Sequence, residues 1–420
     1  MLEQIEGSQA VAKAVTLCRP EVIAAYPISP QTHIVESLSD RVRTGELAGC
    51  EYMMVESEFG AMSACIGASA AGARTYTATS SQGLLFMAEA LFNASGLGLP
   101  IVMTVANRAI GAPINIWNDH SDSMAMRDSG WIQLFAESNQ EAVDLHIQAY
   151  RLAEALSVPV MVCMDGFVLT HAFERVDLPE QAQVDAFLPG FVPQQALDPD
   201  DPVTIGAMVG PEAFAEVKYL MHAKQMSALD EIPVIARDFA ETFGRDSGGL
   251  VRPYRTDDAE TIVVSLGSVL GTIEDVVDKM RDEGRTVGVL GIGCFRPWPL
   301  DEVRAALAGA RRVVVVEKAF AVGAGGIVGQ NVRDALRGLP VEVYDVVAGL
   351  GGRPITRASL RQVFDQVLAG EVDPRRMHFL DLDVDLVQRE LERSRRGGRP
   401  GPHAENMLRD IGTVASGAYE

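Results

Sequence analysis

The sequence predicts an α/β protein built on parallel sheets covered by helices on both faces. Two observations carry this reading. Strand-like segments such as "LPIVMTVAN" (99–107) and "VPVMVCMDG" (158–166) are apolar throughout instead of alternating, as strands buried on both faces are. Amphipathic helical stretches separate them, which is the pattern of parallel strands joined by crossovers. Aromatic residues make up only 6% of the chain while glycines number 39, a composition that lets helices sit close on a sheet.

Taken in order, "VIAAYPI" (22–28) reads as a strand ending in a turn with Pro27 and Pro30. "HIVESLSDRVRTGEL" follows as a helix, "TYTATS" (75–80) as a buried strand, and "NQEAVDLHIQAYRLAEAL" (139–156) as a long helix. These elements define a first domain over 1–175. From 176 to 255 the chain turns rich in Pro, Asp and Gln. This segment reads as an irregular inter-domain stretch with one helix, "EAFAEVKYLMHAKQMSALDEI". A second α/β domain spans 256–370, with strands in "AETIVVSLGS", "TVGVLGIGCF", "ARRVVVVEKA" and "VEVYDVVAG" and helices in "VLGTIEDVVDKMRDEG" and "GIVGQNVRDALRG". Residues 371–420 contain the basic, Gly/Pro-rich "RSRRGGRPGPHAENM", a composition that suits a mobile tail or a strap onto another subunit.

A chain of 420 residues with net charge −21 is a poor match for nucleic acid or an anionic membrane, since both need a basic surface. The N-terminus has acidic residues where a signal peptide would begin its apolar core, and no run reaches the ~18 apolar residues of a membrane span. The five cysteines are dispersed and form no C-x-x-C pair. That argues against zinc or an iron–sulfur cluster in this chain and for buried, reduced thiols in a cytoplasmic protein.

Four motifs bear on chemistry. "GAGGIVG" (323–329), with Asp345 beyond it, invites a dinucleotide reading, but its glycine spacing is not that of the fingerprint. A nicotinamide-dependent dehydrogenase built on this turn is thus a secondary reading. "NDHSDSM" places Asp119, His120 and Asp122 together, either as a hydrogen-bonded loop or as metal ligands. With no second His or Cys cluster, no metal is expected. Arg108, where the strand 99–107 ends, is either a surface charge or a guanidinium fork for a carboxylate. In "VESEFGAM" (55–62), Glu58 is either an acid favoured by the helix dipole behind a Ser57 cap or a functional carboxyl.

Taken together, these residues resemble the alpha chain of the thiamine-diphosphate-dependent 2-oxoacid:ferredoxin oxidoreductases, in the multi-subunit pyruvate or phenylglyoxylate-type branch. "AYPISPQT", "ESEFGAMSACIGASAAGARTYTATSSQGL", "ANRAIGAPINIWNDHSDSM" and "DGFVLTH" resemble its pyrimidine-binding domain. "FRPWP", "VGAGGIVG" and "GLGGRPIT" resemble its transketolase-C-terminal-like domain. The resemblance covers nearly the whole chain and implies a CoA-acylating oxidative decarboxylation of a 2-oxoacid to an acyl-CoA and carbon dioxide.

It also implies residue roles. Glu58 would be the catalytic carboxyl that hydrogen-bonds the pyrimidine N1′ of thiamine diphosphate, with Pro27 beside the cofactor. Ser29 would hydrogen-bond the substrate carboxylate or carbonyl, and Arg108 would hold the carboxylate. The G-D-G signature that holds the magnesium-bound diphosphate is not in this sequence. A beta subunit would therefore complete the site, and gamma and ferredoxin-like delta subunits would carry the iron–sulfur clusters. Ferredoxin would accept the electrons, or NAD through an added flavin subunit.

Two departures flank the site: Ser29 where the family shows threonine, and Phe59-Gly60 where it shows histidine and serine. They predict either neutral variation or a pocket for a bulkier acid such as phenylglyoxylate, with Phe59 lining it. A non-catalytic scaffold chain of such a complex is the remaining alternative.

Overall fold

Val22–Ala25, Thr75–Thr79, Val102–Asn107 and Val160–Asp165 form the centre of a mainly parallel sheet in the computed structural model, which describes residues 2–202, 204–396 and 401–413. The last three of these strands are buried at every position, so the continuous apolar runs report burial on both faces. Across the sheet the order is Cys294–Arg296, Ile132–Phe135, Val160–Asp165, Val102–Asn107, Thr75–Thr79, Val22–Ala25 and Glu51–Met54. All neighbours are parallel except Cys294–Arg296, which runs antiparallel to Ile132–Phe135.

A second sheet runs Glu342–Val347, Arg312–Glu317, Thr261–Ser265, Val287–Ile292 and Val251–Tyr254, parallel but for the last. The strand expected in "TVGVLGIGCF" thus ends at Ile292, and Cys294 leaves to join the other sheet. Phe295 follows it and packs edge-on against Phe135 with ring centroids 6.4 Å apart. One apolar cluster holds Met62, Leu84 and Phe135 together with Ile262, Leu290 and Phe295, so the two sheets share a core. Residues 1–378 form a single compact unit accordingly.

Between the sheets, the stretch read as irregular with one helix carries more structure than its composition suggested. Phe173–Asp177 pairs antiparallel with Leu2–Glu6 at the chain's start, and Gln181–Phe187 is helical. The single helix expected over 212–232 is two, Phe214–Met226 and Ala228–Phe243. The first buries no residue. The second buries Ala228, Ile232, Ile235 and Phe239 at helical spacing, and it continues through Pro233. That stripe, extending past the proline, is what a reading that stopped at 232 could not see.

Residues 379–420 form a second, small unit. Part of the expected tail is helical there, in Val384–Arg395 and His403–Asp410, while 397–400 and 414–420 lie outside the described residues. Buried Glu390 accepts from Arg393, His403 and Asn406, which ties these two helices together. Among the described residues no helix is long and apolar enough to cross a membrane.

Candidate active site

The carboxyl ends of the first sheet's parallel strands converge on one shelf, where open α/β sheets hold ligands. Val22–Ala25 delivers the loop 26–31, Thr75–Thr79 delivers Ser80–Gln82, and Val102–Asn107 delivers Arg108. Beyond the outer strand Glu51–Met54, the helix Glu58–Ala70 begins with Glu58.

Ser57 caps that helix, its hydroxyl accepting from the Gly60 N–H at 3.0 Å. The two neighbouring acids then part company. Glu56 is exposed and accepts from the Ser57 hydroxyl, whereas Glu58 is 7% exposed. No described residue gives the Glu58 carboxylate a hydrogen bond or an ion pair. Gly83 sits against it: a Cβ there would lie 2.7 Å from Glu58 Oε1 and 2.5 Å from Thr79 Oγ1. Thr79 Oγ1 and Ser80 Oγ are themselves buried and unpartnered. A carboxylate in a nearly buried residue that no protein group satisfies is open to a ligand, so this corner fits a ligand nitrogen able to donate or share a proton.

Arg108 is buried, and its backbone N–H donates to Asp122 Oδ2 at 2.9 Å. Its guanidinium donates to the carbonyls of Asn115 and Ser29, both at 3.0 Å. The structure thus brings Arg108 and Ser29 together through Ser29's main chain, while the Ser29 side chain is on the exposed side of the loop. Burial lowers the Arg108 pKa, partly offset by the Asp122 charge. Pro27 is half-buried in the same loop, which buried Gln31 pins by donating to the Ala78 carbonyl at 2.6 Å and accepting from the Ile28 N–H. Phe59 is placed differently. It is 38% exposed and its ring packs on Phe86, centroids 6.3 Å apart.

Asp122 is the residue whose role the sequence did not disclose. Its carboxylate accepts from the backbone of Ser81, Arg108 and Ser123 and from Asn107 Nδ2. It therefore ties two strand ends to each other. Ser81 has φ +52, a left-handed conformation unusual for serine, and its hydroxyl donates to the Ala109 carbonyl. Backbone strain held this firmly gathers at functional sites. Burial lifts the Asp122 carboxyl to about 7 despite its four donors. The polar run "NDHSDSM" directly after a strand end was the signal available.

The other two candidates of that run, Asp119 and His120, are not directed to a common point. Asp119 accepts from Ser121 and from the Gly351 N–H, and Asn115 donates to the Gly351 carbonyl. The "GLGGRPIT" turn therefore braces the arginine loop from the second sheet. His120 pairs with buried Asp165 at 2.7 Å, and Asp165 also accepts from Lys318 and Ser268. Burial opposes ionisation of Asp165, but Lys318, His120 and Ser268 outweigh it and hold the carboxyl well below its usual range.

At the other glycine turn, Glu317 accepts from the backbone N–H groups of Ile327, Val328 and Gly329, at the start of the helix Ile327–Ala335. A carboxylate of the chain itself thus occupies the place where a dinucleotide fingerprint would receive a pyrophosphate. A Cβ at Gly326 would meet Glu317 Oε1 at 2.2 Å, and one at Gly329 would meet Asp345 Oδ1 at 2.2 Å. Asp345 pairs with Arg333 at 2.5 Å. These glycines admit buried acids, which removes the basis for a nicotinamide site here.

Residues 13–237 match the family described as pyruvate flavodoxin/ferredoxin oxidoreductase, thiamine diphosphate-binding, and 259–360 match pyruvate:ferredoxin oxidoreductase core domain II. The chain is 49% identical over 390 residues to the pyruvate synthase subunit PorA of Methanosarcina barkeri, covering 91% of this chain and 97% of that one. It is 38% identical over 366 residues to the ketoisovalerate oxidoreductase subunit VorA of Pyrococcus abyssi, covering 86% and 92%. Among solved structures, the 2-oxoglutarate:ferredoxin oxidoreductase from Magnetococcus marinus with 2-oxoglutarate, coenzyme A and succinyl-CoA bound matches with a TM-score of 0.68 at 20% identity. That likeness is one of fold; it covers 87% of this chain, which spans 65% of the longer one.

Proposed function

The chain belongs to the pyruvate flavodoxin/ferredoxin oxidoreductase family and is a subunit of a CoA-acylating 2-oxoacid oxidoreductase, and from that premise we propose that its strand-end shelf is the pyrimidine half of a thiamine diphosphate site. The observation that carries the proposal is Glu58: a nearly buried carboxylate without a partner, beside a glycine that keeps the adjoining space clear. Thiamine diphosphate, when bound, supplies the electron sink that lets a 2-oxoacid lose carbon dioxide.

Glu58 would hold and exchange a proton at the pyrimidine N1′, and Pro27 would lie against the cofactor. Proton exchange by a positioned carboxyl is worth about 100- to 10,000-fold in rate. Arg108 would grip the substrate carboxylate. The Ser29 carbonyl fixes the guanidinium, and the Ser29 hydroxyl would face the same substrate. Asp122 keeps Arg108 and Ser81 in register. Buried placement strengthens an arginine–carboxylate contact, because little water competes for it.

The diphosphate and its magnesium would be held by a beta subunit. Exposed Phe59, directly after Glu58 in its helix, packs its ring on exposed Phe86, and the pair supports a protein partner there, since exposed apolar groups of this kind mark interfaces. Iron–sulfur clusters on gamma and delta subunits would take the electrons to ferredoxin. Five unpaired, buried cysteines fit a cytoplasmic location. For the substrate we favour pyruvate over an aromatic acid: Phe59 packs on Phe86 at the surface, and Arg108 meets Ser29 through the main chain.

The test is the complex co-purified through a tag on this chain, assayed for CoA-dependent viologen reduction with pyruvate, 2-oxoisovalerate and phenylglyoxylate. Pyruvate should turn over fastest. A preference for phenylglyoxylate would return Phe59 to the pocket. Unchanged turnover after Glu58→Gln would make this chain a scaffold.

A further inference from the structure

A cluster of ligating side chains that does not include Glu58 serves no step above. Glu6 ends the strand Leu2–Glu6, His33 lies in the first turn of the helix Thr32–Thr44, and His171 follows the turn after Val160–Asp165. Three separate segments thus place two imidazoles and a carboxylate together, with one ligand atom of each within 4.8 Å of the others. His33 Nδ1 and Glu6 Oε1 are 2.7 Å apart, and the His33 and His171 rings are in contact with centroids 4.7 Å apart. We propose that Glu6, His33 and His171 form a binding site for a divalent transition metal.

The donor set names the class of ion. Two imidazoles and one carboxylate suit borderline cations such as zinc or ferrous iron and suit magnesium or calcium poorly. Three protein ligands leave a further position for water. Bound donors stand about 2.0–2.1 Å from such a metal, so the three groups close on it by side-chain rotation, and half-exposed His33 has room to rotate. His171 is already oriented: its Nδ1 lies 2.8 Å from Thr170 Oγ1, which in turn accepts from the Phe167 N–H. With Nδ1–H donating to Thr170, Nε2 keeps its lone pair for the metal, the usual outer support of a ligating histidine. A bound ion would fasten the start of the helix Thr32–Thr44 to the turn carrying His171.

A reporter is built in. The Trp117 ring packs at a tilt against Phe167 with centroids 5.1 Å apart, and Phe167 packs at a tilt against His171 at 4.7 Å. The experiment is titration of the tag-free, metal-stripped full chain with Co2+, followed by visible absorption and tryptophan fluorescence and then by Zn2+ competition. A single equivalent of Co2+ should bind, quench Trp117 and be displaced by Zn2+. His33→Ala and His171→Ala should each weaken binding more than about tenfold, while His222→Ala, at an exposed helix position, should not. Glu6→Gln keeps the test open if His171→Ala disturbs folding, which circular dichroism would show. No bound Co2+, or binding that His33→Ala and Glu6→Gln leave intact, would overturn the proposal.

Discussion

Glu58 and Glu317 are both buried carboxylates at the start of a helix, and they differ in what they meet. Glu317 receives three backbone N–H groups and closes its helix end. Glu58 sits in the first turn of its own helix, leaves the capping to Ser57 and has no described partner. Glycines admit both: Gly326 beside Glu317 and Gly83 beside Glu58. The same local ingredients therefore yield a structural acid in one sheet and an acid held for a ligand in the other. The partner count separates them, and proximity to glycine does not.

Substitutions should separate them too. Glu58→Gln in the assembled complex should lower kcat by about 100- to 10,000-fold while the chain's thermal midpoint stays put, because no protein contact is lost. Gly83→Ala pushes a methyl against Glu58 and Thr79. Displacing a reacting group by about 1 Å costs on the order of 100-fold, so turnover should fall by that order with thiamine binding weakened. Glu317→Ala should do the opposite. It strands buried donors worth about 1–3 kcal/mol each, so urea unfolding of the full chain should show a loss of roughly 3 kcal/mol or more, with cofactor affinity unchanged. If Glu317→Ala instead abolished turnover at full stability, the contrast drawn between the two acids would be wrong.

Acidity tests the contrast on a smaller scale. Burial raises both Asp122 and Glu317 to about 7, from ordinary carboxyl values of 3.8 and 4.5. An acid whose folded pKa is raised binds its proton more tightly in the folded chain. The stability it contributes is present below the unfolded value and is lost as pH rises through about 7. The thermal midpoint should thus fall between about pH 5 and about pH 8, and Asp122→Asn should flatten part of that slope. The smallest effect belongs to Ser29→Thr. The Arg108 contact runs through the main chain, so the preference for pyruvate over phenylglyoxylate should move by no more than about 0.5 kcal/mol, roughly twofold. A larger shift would show that the missing methyl shapes the pocket.

The central strands were legible because a parallel sheet buried on both faces writes itself as continuous apolar runs, as in Val102–Asn107 and Val160–Asp165. Leu2–Glu6 was not, because it is short and half-exposed and its partner Phe173–Asp177 lies far along the chain. Nor was the departure of Cys294 into the other sheet, which no local pattern encodes. Within the site, Arg108 could be singled out because it follows the end of an apolar strand, and Glu58 because it opens a helix with little other charge. The choice of Glu58 over Glu56 rested on the family resemblance. Asp122 could not be assigned, since its role exists only once Ser81 and Arg108 arrive beside it. Likewise "GAGGIVG" reads as a nucleotide turn until Glu317 is seen filling it.

The antiparallel pairing of Cys294–Arg296 with Ile132–Phe135 has a consequence for synthesis. On the ribosome, Ile132–Phe135 emerges long before its outer neighbour is made. Until then the nascent chain holds a border strand that the folded protein buries at every position, whose free N–H and C=O groups invite pairing with another molecule. A product truncated before Cys294 would keep that border open permanently. It should collect in inclusion bodies and should not accumulate as a stable half-protein.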